Sequence, residues 1–509
     1  MSHSSHPALR EAATRVPPLR QLFAQDAGRP HLFTFDACGI HADFSRQLID
    51  NDFLIALHQY VSDTRIRELL MAMFVGKKMN VTEDRAVMHV ALRDSAQATP
   101  EAKAARVQLE KALALADKVR SNAGIDAVVN IGIGGSDLGP AMATRALRRF
   151  CDGPIVRFVS NIDAADLDAA LEGLNPERTM FVVSSKTFTT LETMHNAERA
   201  REWVKTAVPD WSTRFVAATA HPSQAHAWGI TADRCLEFFE WVGGRFSVSS
   251  VIGFPLMCAI GSEQFMQFLA GMEHMDHHVI TSDIPTNLAI MHALVWFVNA
   301  VCHQMSTVAV IPYSSDLERL PAFLQQLVME SNGKSVDIDG DALATPSSPV
   351  VWGESGTNGQ HAFFQMLHQG TQVVPVEFIG TVEPLGNDAV AHNLLVANMI
   401  AQSEALAVGS SNENSHKEFP GNRPSSVLML QRLDPHHLGA LISLYEHSTA
   451  IQGWLIGVNS FDQFGVELGK HMATIAAQSI ENGHADATQT MTHPLMEWYL
   501  QAQKNVHSR

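Results

Sequence analysis

The sequence predicts an α/β protein of two α/β/α sandwich domains with mainly parallel sheets, plus helical N- and C-terminal extensions. Three observations carry this. Short β-branched runs recur at helix-length intervals, several of them open into glycine- or hydroxyl-rich loops, and 509 residues exceed what one hydrophobic core organises. Residues 1–100 lack short β-rich runs and read as a helical extension packing on the second domain. In 101–262, Val128–Ile131, Ile155–Val159, Phe181–Val183 and Phe215–Ala218 are candidate strands of a first α/β domain carrying the phosphate-type loops. In 263–509 a second set follows, Val308–Ile311, Val350–Trp352, Val373–Ile379 and Val427–Leu430, with long helical segments between and after them. No repeat of 20–50 residues and no low-complexity tract interrupts the pattern.

Composition narrows the function classes. The chain is 46% hydrophobic and 17% charged, as an ordinary globular protein is, and its net charge of -17 without a long basic run argues against a nucleic-acid surface. An anionic ligand must therefore be held by local donors against the overall field. Cys38, Cys151, Cys235, Cys258 and Cys302 are odd in number and contain no CxxC pair, which fits a reducing compartment. The N-terminal stretch lacks the apolar core of a secretory signal, and the apolar run near His292–Met305 is interrupted by Asn299, His303 and Gln304, so the expected location is the cytoplasm, away from membranes.

Two loops have the chemistry of an anion site. Asn130–Pro140, NIGIGGSDLGP, places Gly132, Gly134, Gly135 and Ser136 before a helix, so backbone amides and the positive helix end would face a ligand; a tight turn without a ligand is the plainer alternative. Asp137 stands where the dinucleotide fingerprint needs its last glycine, which counts against a dehydrogenase. Ser184–Thr193, SSKTFTTLET, offers Ser185, Lys186, Thr187 and Thr190 at a helix start, with Thr187 and Thr190 on one face, a set suited to a phosphate monoester. Any one of these alone would read as a helix cap. Gly333-Lys334-Ser335 imitates a P-loop ending, but Val328 occupies the earlier glycine position and no strand ends there.

Six polar side chains could carry chemistry. Glu330 precedes an Asn-Gly turn and alone reads as a solvated loop charge; Gln326 lies four residues earlier in helical register. Arg245 follows Gly243 and Gly244, and is either a surface ion pair or a fixed donor for a developing oxyanion. His361 lies in Trp352–Thr371, WGESGTNGQHAFFQMLHQGT, where Thr357 and Asn358 predict a helix start near it and Phe363, Phe364, Met366 and Leu367 predict that helix's buried side. Gln463 and Lys470 stand seven residues apart, with Gly465 and Gly469 arguing against one unbroken helix. The clusters His274/His277/His278 and His436/His437 repeat no metal-ligand spacing, so no metal is expected.

The run Trp352–Thr371, together with KKMNVTEDRAVMHVALR, GIGGSDLGP, SKTFTT, GGRFS, ESNGK, GNRPSS and HSTAIQGWLIGVNSFDQFGVELGK, closely resembles the glucose-6-phosphate isomerase (phosphoglucose isomerase) family from roughly Asp36 to Lys470. Val248 and Ser249 depart from the family, which commonly carries a larger pair there. The resemblance implies the sugar-isomerase type of fold and an aldose-ketose isomerase, acting in glycolysis and gluconeogenesis. It would interconvert glucose 6-phosphate and fructose 6-phosphate through a cis-enediolate, without cofactor or metal. It further implies that Ser185, Lys186, Thr187 and Thr190 bind the substrate phosphate, that Gly135, Ser136, Gln326 and Gln463 contact substrate, and that His361 and Lys470 open the ring. Glu330 would then be the catalytic base and Arg245 the enediolate stabiliser. A homodimer is implied too, with His361 reaching the site from the second subunit. A non-catalytic sugar-phosphate-binding regulator is the alternative, but it would not need Glu330, His361, Arg245 and Lys470 together.

Overall fold

The computed structural model describes residues 6–486 and 491–507; the outermost residues of the expected spans 1–100 and 263–509 lie outside these. The described residues form two compact units, one ending at Phe461 and the other beginning at Asp462. The fold of the first is α/β with mostly parallel sheets. Its strands are β1 (Thr34–Ala37), β2 (Ile40–Asp43), β3 (Ala127–Gly132), β4 (Ile155–Val159), β5 (Thr179–Ser184), β6 (Phe215–Thr219), β7 (Cys235–Glu237), β8 (Thr307–Pro312), β9 (Val350–Trp352), β10 (Val376–Thr381) and β11 (Ser425–Leu430).

Strands β3–β7 form a parallel sheet of order β4-β3-β5-β6-β7. Every residue of β3, β5 and β6 is buried, as strands covered by helices on both faces must be. The rings of Phe181 and Phe215 stack at 5.1 Å on one face. The other sheet has order β1-β2-β11-β10-β8-β9, parallel from β11 to β9 and antiparallel at the β1–β2 edge.

That edge corrects the reading that the first hundred residues are mostly helical and lack β runs. β1 and β2 are four residues each, joined through Cys38 and Gly39 at positive φ, and they exist because β2 pairs with β11 nearly four hundred residues later. So short a hairpin leaves little periodic signal and depends on tertiary pairing. The three-residue β7 escaped the sequence reading for the same reason.

Two long helical stretches, Phe254–Thr281, which is broken by the non-helical Gly261 at φ 81°, and Pro435–Ile456, pack on each other. A Cβ on Gly271 would lie 1.8 Å from the His436 carbonyl oxygen, so the contact tolerates no side chain there. Arg93 pins both helices: its Nε and Nη2 donate to Asp276 at 2.7 and 2.8 Å, and its Nη1 to Glu446 at 2.6 Å, all three residues being buried. Burial would raise the Asp276 pKa, but Arg93 and His447 hold it below the ordinary carboxylate range.

The second unit contains a short 3₁₀ turn, Phe464–Val466, and the helices Glu467–Asn482 and His493–His507, which pack on each other. No helix among the described residues is long and apolar enough to cross a membrane.

Candidate active site

In the five-stranded sheet the chain leaves β3 toward β4 on one side and then returns across β3 to build β5, β6 and β7 on the other. The helical connections therefore diverge between β3 and β5, leaving a crevice at their carboxyl ends, where open α/β sheets bind ligands. Both loops singled out from sequence begin there, with Gly132 and Ser184 directly paired at the strand ends.

The first loop turns through Gly134 at φ 59° and enters the helix Leu138–Ala146. A Cβ on Gly135 would lie 2.2 Å from the Gly244 carbonyl carbon, so the loop is pressed against the turn that carries Arg245. Asn130, invisible as a site residue within the strand run VVNIG, is fully buried and ties the loops together. Its Nδ2 donates to the Ser136 carbonyl at 3.0 Å, and its Oδ1 accepts from the Ser184 hydroxyl at 2.8 Å. The usable signal was a lone amide inside an apolar strand, which must find hydrogen-bond partners. Burial pushes the neighbouring Asp137 carboxyl up to about 6, opposed by Arg319.

Ser185–Thr190 is a loop, not the first turn of a helix as its spacing predicted; the helix begins at Leu191. The reason is Phe188. Its ring is buried and its backbone is left-handed at φ 55°, a conformation that interrupts helix and that a bulky residue adopts only when its surroundings hold it. Ser185 Oγ accepts from Phe188 N at 3.1 Å and lies 3.1 Å from Thr190 Oγ1. Thr190 makes no side-chain cap to its helix, so its hydroxyl is not consumed in capping. Thr187 Oγ1 accepts from the Thr189 hydroxyl at 2.9 Å. The Lys186 ammonium is directed toward Glu240, whose carboxylate is 3.1 Å away.

Arg245 and Glu330 come together although 85 residues separate them. The Arg245 side chain is 1% exposed; Nη1 lies 3.3 Å from Glu330 Oε2, Nε donates to Ser331 Oγ at 2.6 Å, and Nη2 donates to the Ser460 carbonyl at 2.6 Å. Ser460 in turn donates to Asn332 Oδ1 at 2.6 Å, and Asn332 Nδ2 to the Thr449 carbonyl at 2.9 Å. A Cβ on Gly453 would lie 1.8 Å from Ser460 Oγ, so the glycine leaves the room this support needs. Ser331, Asn332 and Ser460 are all buried, and their roles were unreadable because their partners are distant in sequence. Val248 is also buried and would meet a Cβ on Gly139 at 3.1 Å, so the smaller residue fits beside the helix that follows the first loop.

Glu330 and Gln326 lie on Gln325–Glu330, a π-helical stretch continuing the helix Leu320–Leu324. Such widened turns are frequent at functional sites, because they re-aim side chains within a helix. The Gln326 amide reaches the first loop, its Nε2 lying 3.1 Å from where a Gly134 Cβ would be. Among the described residues, Arg245, Glu330, Gln326, the Gly134–Ser136 loop and, through Asn130, the Ser185 loop thus form one connected site.

His361 does not begin a helix. It caps the carboxyl end of the short helix Gly356–Gln360, is exposed, and its ring makes no hydrogen bond or ion pair with another described residue. The following helix, Phe364–Gln369, buries Phe364 and Leu367 but leaves Met366 39% exposed. Gln463 and Lys470 belong to the second unit, Gln463 at the start of the Phe464–Val466 turn and Lys470 on the helix Glu467–Asn482.

The phosphoglucose isomerase family model matches residues 43–495. The chain belongs to the phosphoglucose isomerase family. It is 46% identical over 495 residues to a glucose-6-phosphate isomerase of Polaromonas naphthalenivorans, covering 94% of each chain. It is 45% identical over 496 residues to one of a Jannaschia species, covering 91% of this chain and 92% of that one. The crystal structure of a glucose-6-phosphate isomerase from Chlamydia trachomatis superposes with a TM-score of 0.85 at 37% identity, covering 92% of this chain and 94% of that one.

Proposed function

We infer that this chain interconverts glucose 6-phosphate and fructose 6-phosphate, serving glycolysis and gluconeogenesis. The observation that carries the reading is the buried Arg245 guanidinium held against the Glu330 carboxylate beside the two switch-point loops. Ser185, Thr187 and Thr190, with the amides of Gly135, Ser136 and Lys186, hold the phosphate. His361 and Lys470 open the ring, one proton passing to the ring oxygen as the C1 hydroxyl loses one, and Gln326 and Gln463 orient the open chain. Glu330 then removes the C2 proton of the aldose and returns it to C1, while the C2 hydroxyl proton passes to the C1 oxygen; between these steps the negative charge rests on the enediolate oxygens. Two nitrogens of Arg245 are anchored by Ser331 and Ser460, so its charge is in place before the enediolate forms. The chemistry balances without an external oxidant or reductant.

The exposed His361 ring supports a homodimer in which each subunit lends its His361 to the other's site. All five cysteines are free thiols, which supports a cytoplasmic location.

The deciding experiment is fructose 6-phosphate turnover by the wild type without added metal or nucleotide, beside Glu330→Gln. Loss of about 10³-fold or more in kcat with an unchanged melting profile is expected, in the range of positioned proton transfer. A fully active Gln variant would remove Glu330 from the mechanism, and an inactive, folded, dimeric wild type would return the regulator reading.

A further inference from the structure

The substrate-loop lysine points at a carboxylate that the reaction, as derived above, does not use. Lys186 Nζ lies 3.1 Å from Glu240 Oε2 and donates to the backbone carbonyls of Glu240 at 3.1 Å and Val242 at 3.3 Å. Its ammonium also sits 5.7 Å from the centre of the Phe238 ring. All four groups come from the one segment that leads into Gly243, Gly244 and Arg245. Glu240 is shared further: Arg85 Nη1 lies 3.2 Å from Oε2, and His221 Nε2 lies 3.6 Å from Oε1. The stretch around Arg85 is itself pinned to this segment, through Met88 N to the Trp241 carbonyl at 3.1 Å. It is pinned also to the support of Arg245, through Asn80 Nδ2 to the Phe461 carbonyl at 3.2 Å.

We propose that Glu240 is a positioning residue for the isomerisation, its carboxylate strapping the phosphate loop, through Lys186, to the turn that carries Arg245. The proposal rests on the isomerase reading above. Phosphate is gripped at Ser185, Thr187 and Thr190, on either side of Lys186, whereas the enediolate is stabilised at Arg245. The distance between those two grips decides whether a bound sugar presents its C1 and C2 oxygens to the guanidinium. The Gly134–Ser136 loop is pressed on that turn where Gly135 meets Gly244, and the Lys186–Glu240 link ties the Ser185 loop to the same segment. Burial lowers the Lys186 pKa and Glu240 opposes that fall. Without that carboxylate, Lys186 keeps only its two backbone-carbonyl bonds and Arg85 only the longer 3.8 Å approach to Glu83, so the charged part of the strap is lost.

The test is Glu240→Gln, which keeps size and hydrogen-bonding atoms but removes the charge. Because a displacement of about 1 Å costs on the order of 10²-fold in rate, kcat should fall about 10- to 100-fold. The KM for fructose 6-phosphate should change less than about 3-fold, since the phosphate hydroxyls stay in place. Glu240→Asp, shorter but charged, should recover part of the loss, and Lys186→Met should lower kcat without adding to Glu240→Gln in the double variant. Unchanged kcat in Glu240→Gln, or a rise in KM alone, overturns the proposal. If Glu240→Gln loses its native melt, Lys186→Met alone carries the same test from the other end. Wild-type turnover and its loss in Glu330→Gln are measured in parallel, so a failure of the isomerase reading is seen separately from a failure of the strap.

Discussion

The Ser185–Thr190 loop and the Arg245–Glu330 centre are neighbours built on opposite principles. Ser185, Phe188 and Thr190 organise one another within six residues, using a hydroxyl–amide bond, a hydroxyl pair and one left-handed backbone. Arg245 instead collects Glu330, Ser331 and Ser460 from segments 85 to 215 residues away, and its placement depends on the packing of the entire first unit. A local site tolerates the loss of one member because the others still define it. A long-range site with a buried charge does not, because each lost partner leaves an unsatisfied group in the interior.

That contrast is most exposed at Arg245. Arg245→Lys keeps the charge but loses the planar fork that reaches Glu330, Ser331 and Ser460 at once. A fall in kcat of about 10²- to 10³-fold and a lowered melting temperature are expected together. If steady-state kinetics gave a kcat within about threefold of wild type, the fixed-donor role would be wrong.

A smaller and differently shaped effect belongs to the local site. Thr190→Val removes one hydroxyl from the hydroxyl cluster without changing side-chain shape. KM for fructose 6-phosphate should rise about 10-fold, as for one hydrogen bond to a charged group, with kcat and melting temperature nearly constant. A kcat loss equal to that of Arg245→Lys would mean that the two regions act as one unit and the contrast is false.

The least effect on chemistry, and a distinct one on stability, lies at Asp137, next to the first loop. Burial raises its folded pKa from 3.8 to about 6, so the stability associated with its protonated form is complete below the ordinary value and is lost as pH rises through about 6. Asp137→Asn should therefore melt higher than wild type at about pH 8, by on the order of 3 kcal/mol, and show no gain at about pH 4. Thermal unfolding at both pH values checks the sign; a variant less stable at pH 8 would show that the carboxylate is compensated in the fold.

How legible each part was follows the same division. Strands β5, β6 and β8 were readable because strands buried on both faces are largely apolar runs, and β3 and β10 in spite of the buried Asn130 and Glu377 within them. Hairpin β1–β2 was not, because its four-residue strands are ordered by β11 rather than by their own periodicity. The two loops were readable as anion chemistry from glycines and hydroxyls alone, yet Phe188 turned the expected helical face of Thr187 and Thr190 into a loop. For Glu330, residue identity reached a role only by resemblance; the π-helical stretch that aims it leaves no local sequence signature.

By itself, then, the sequence determined the α/β class, the free-thiol chemistry, the two loops and the family, because these are written in local composition, spacing and side-chain type. Only the tertiary structure decided that β3 and β5 form the switch point and that Asn130 knits their loops. Only it showed Lys186 facing Glu240, and Arg245 held by residues up to 215 positions away. The physical reason is that hydrogen bonds and ion pairs are matched in space, and chain order records them only when both partners fall within a few residues of each other.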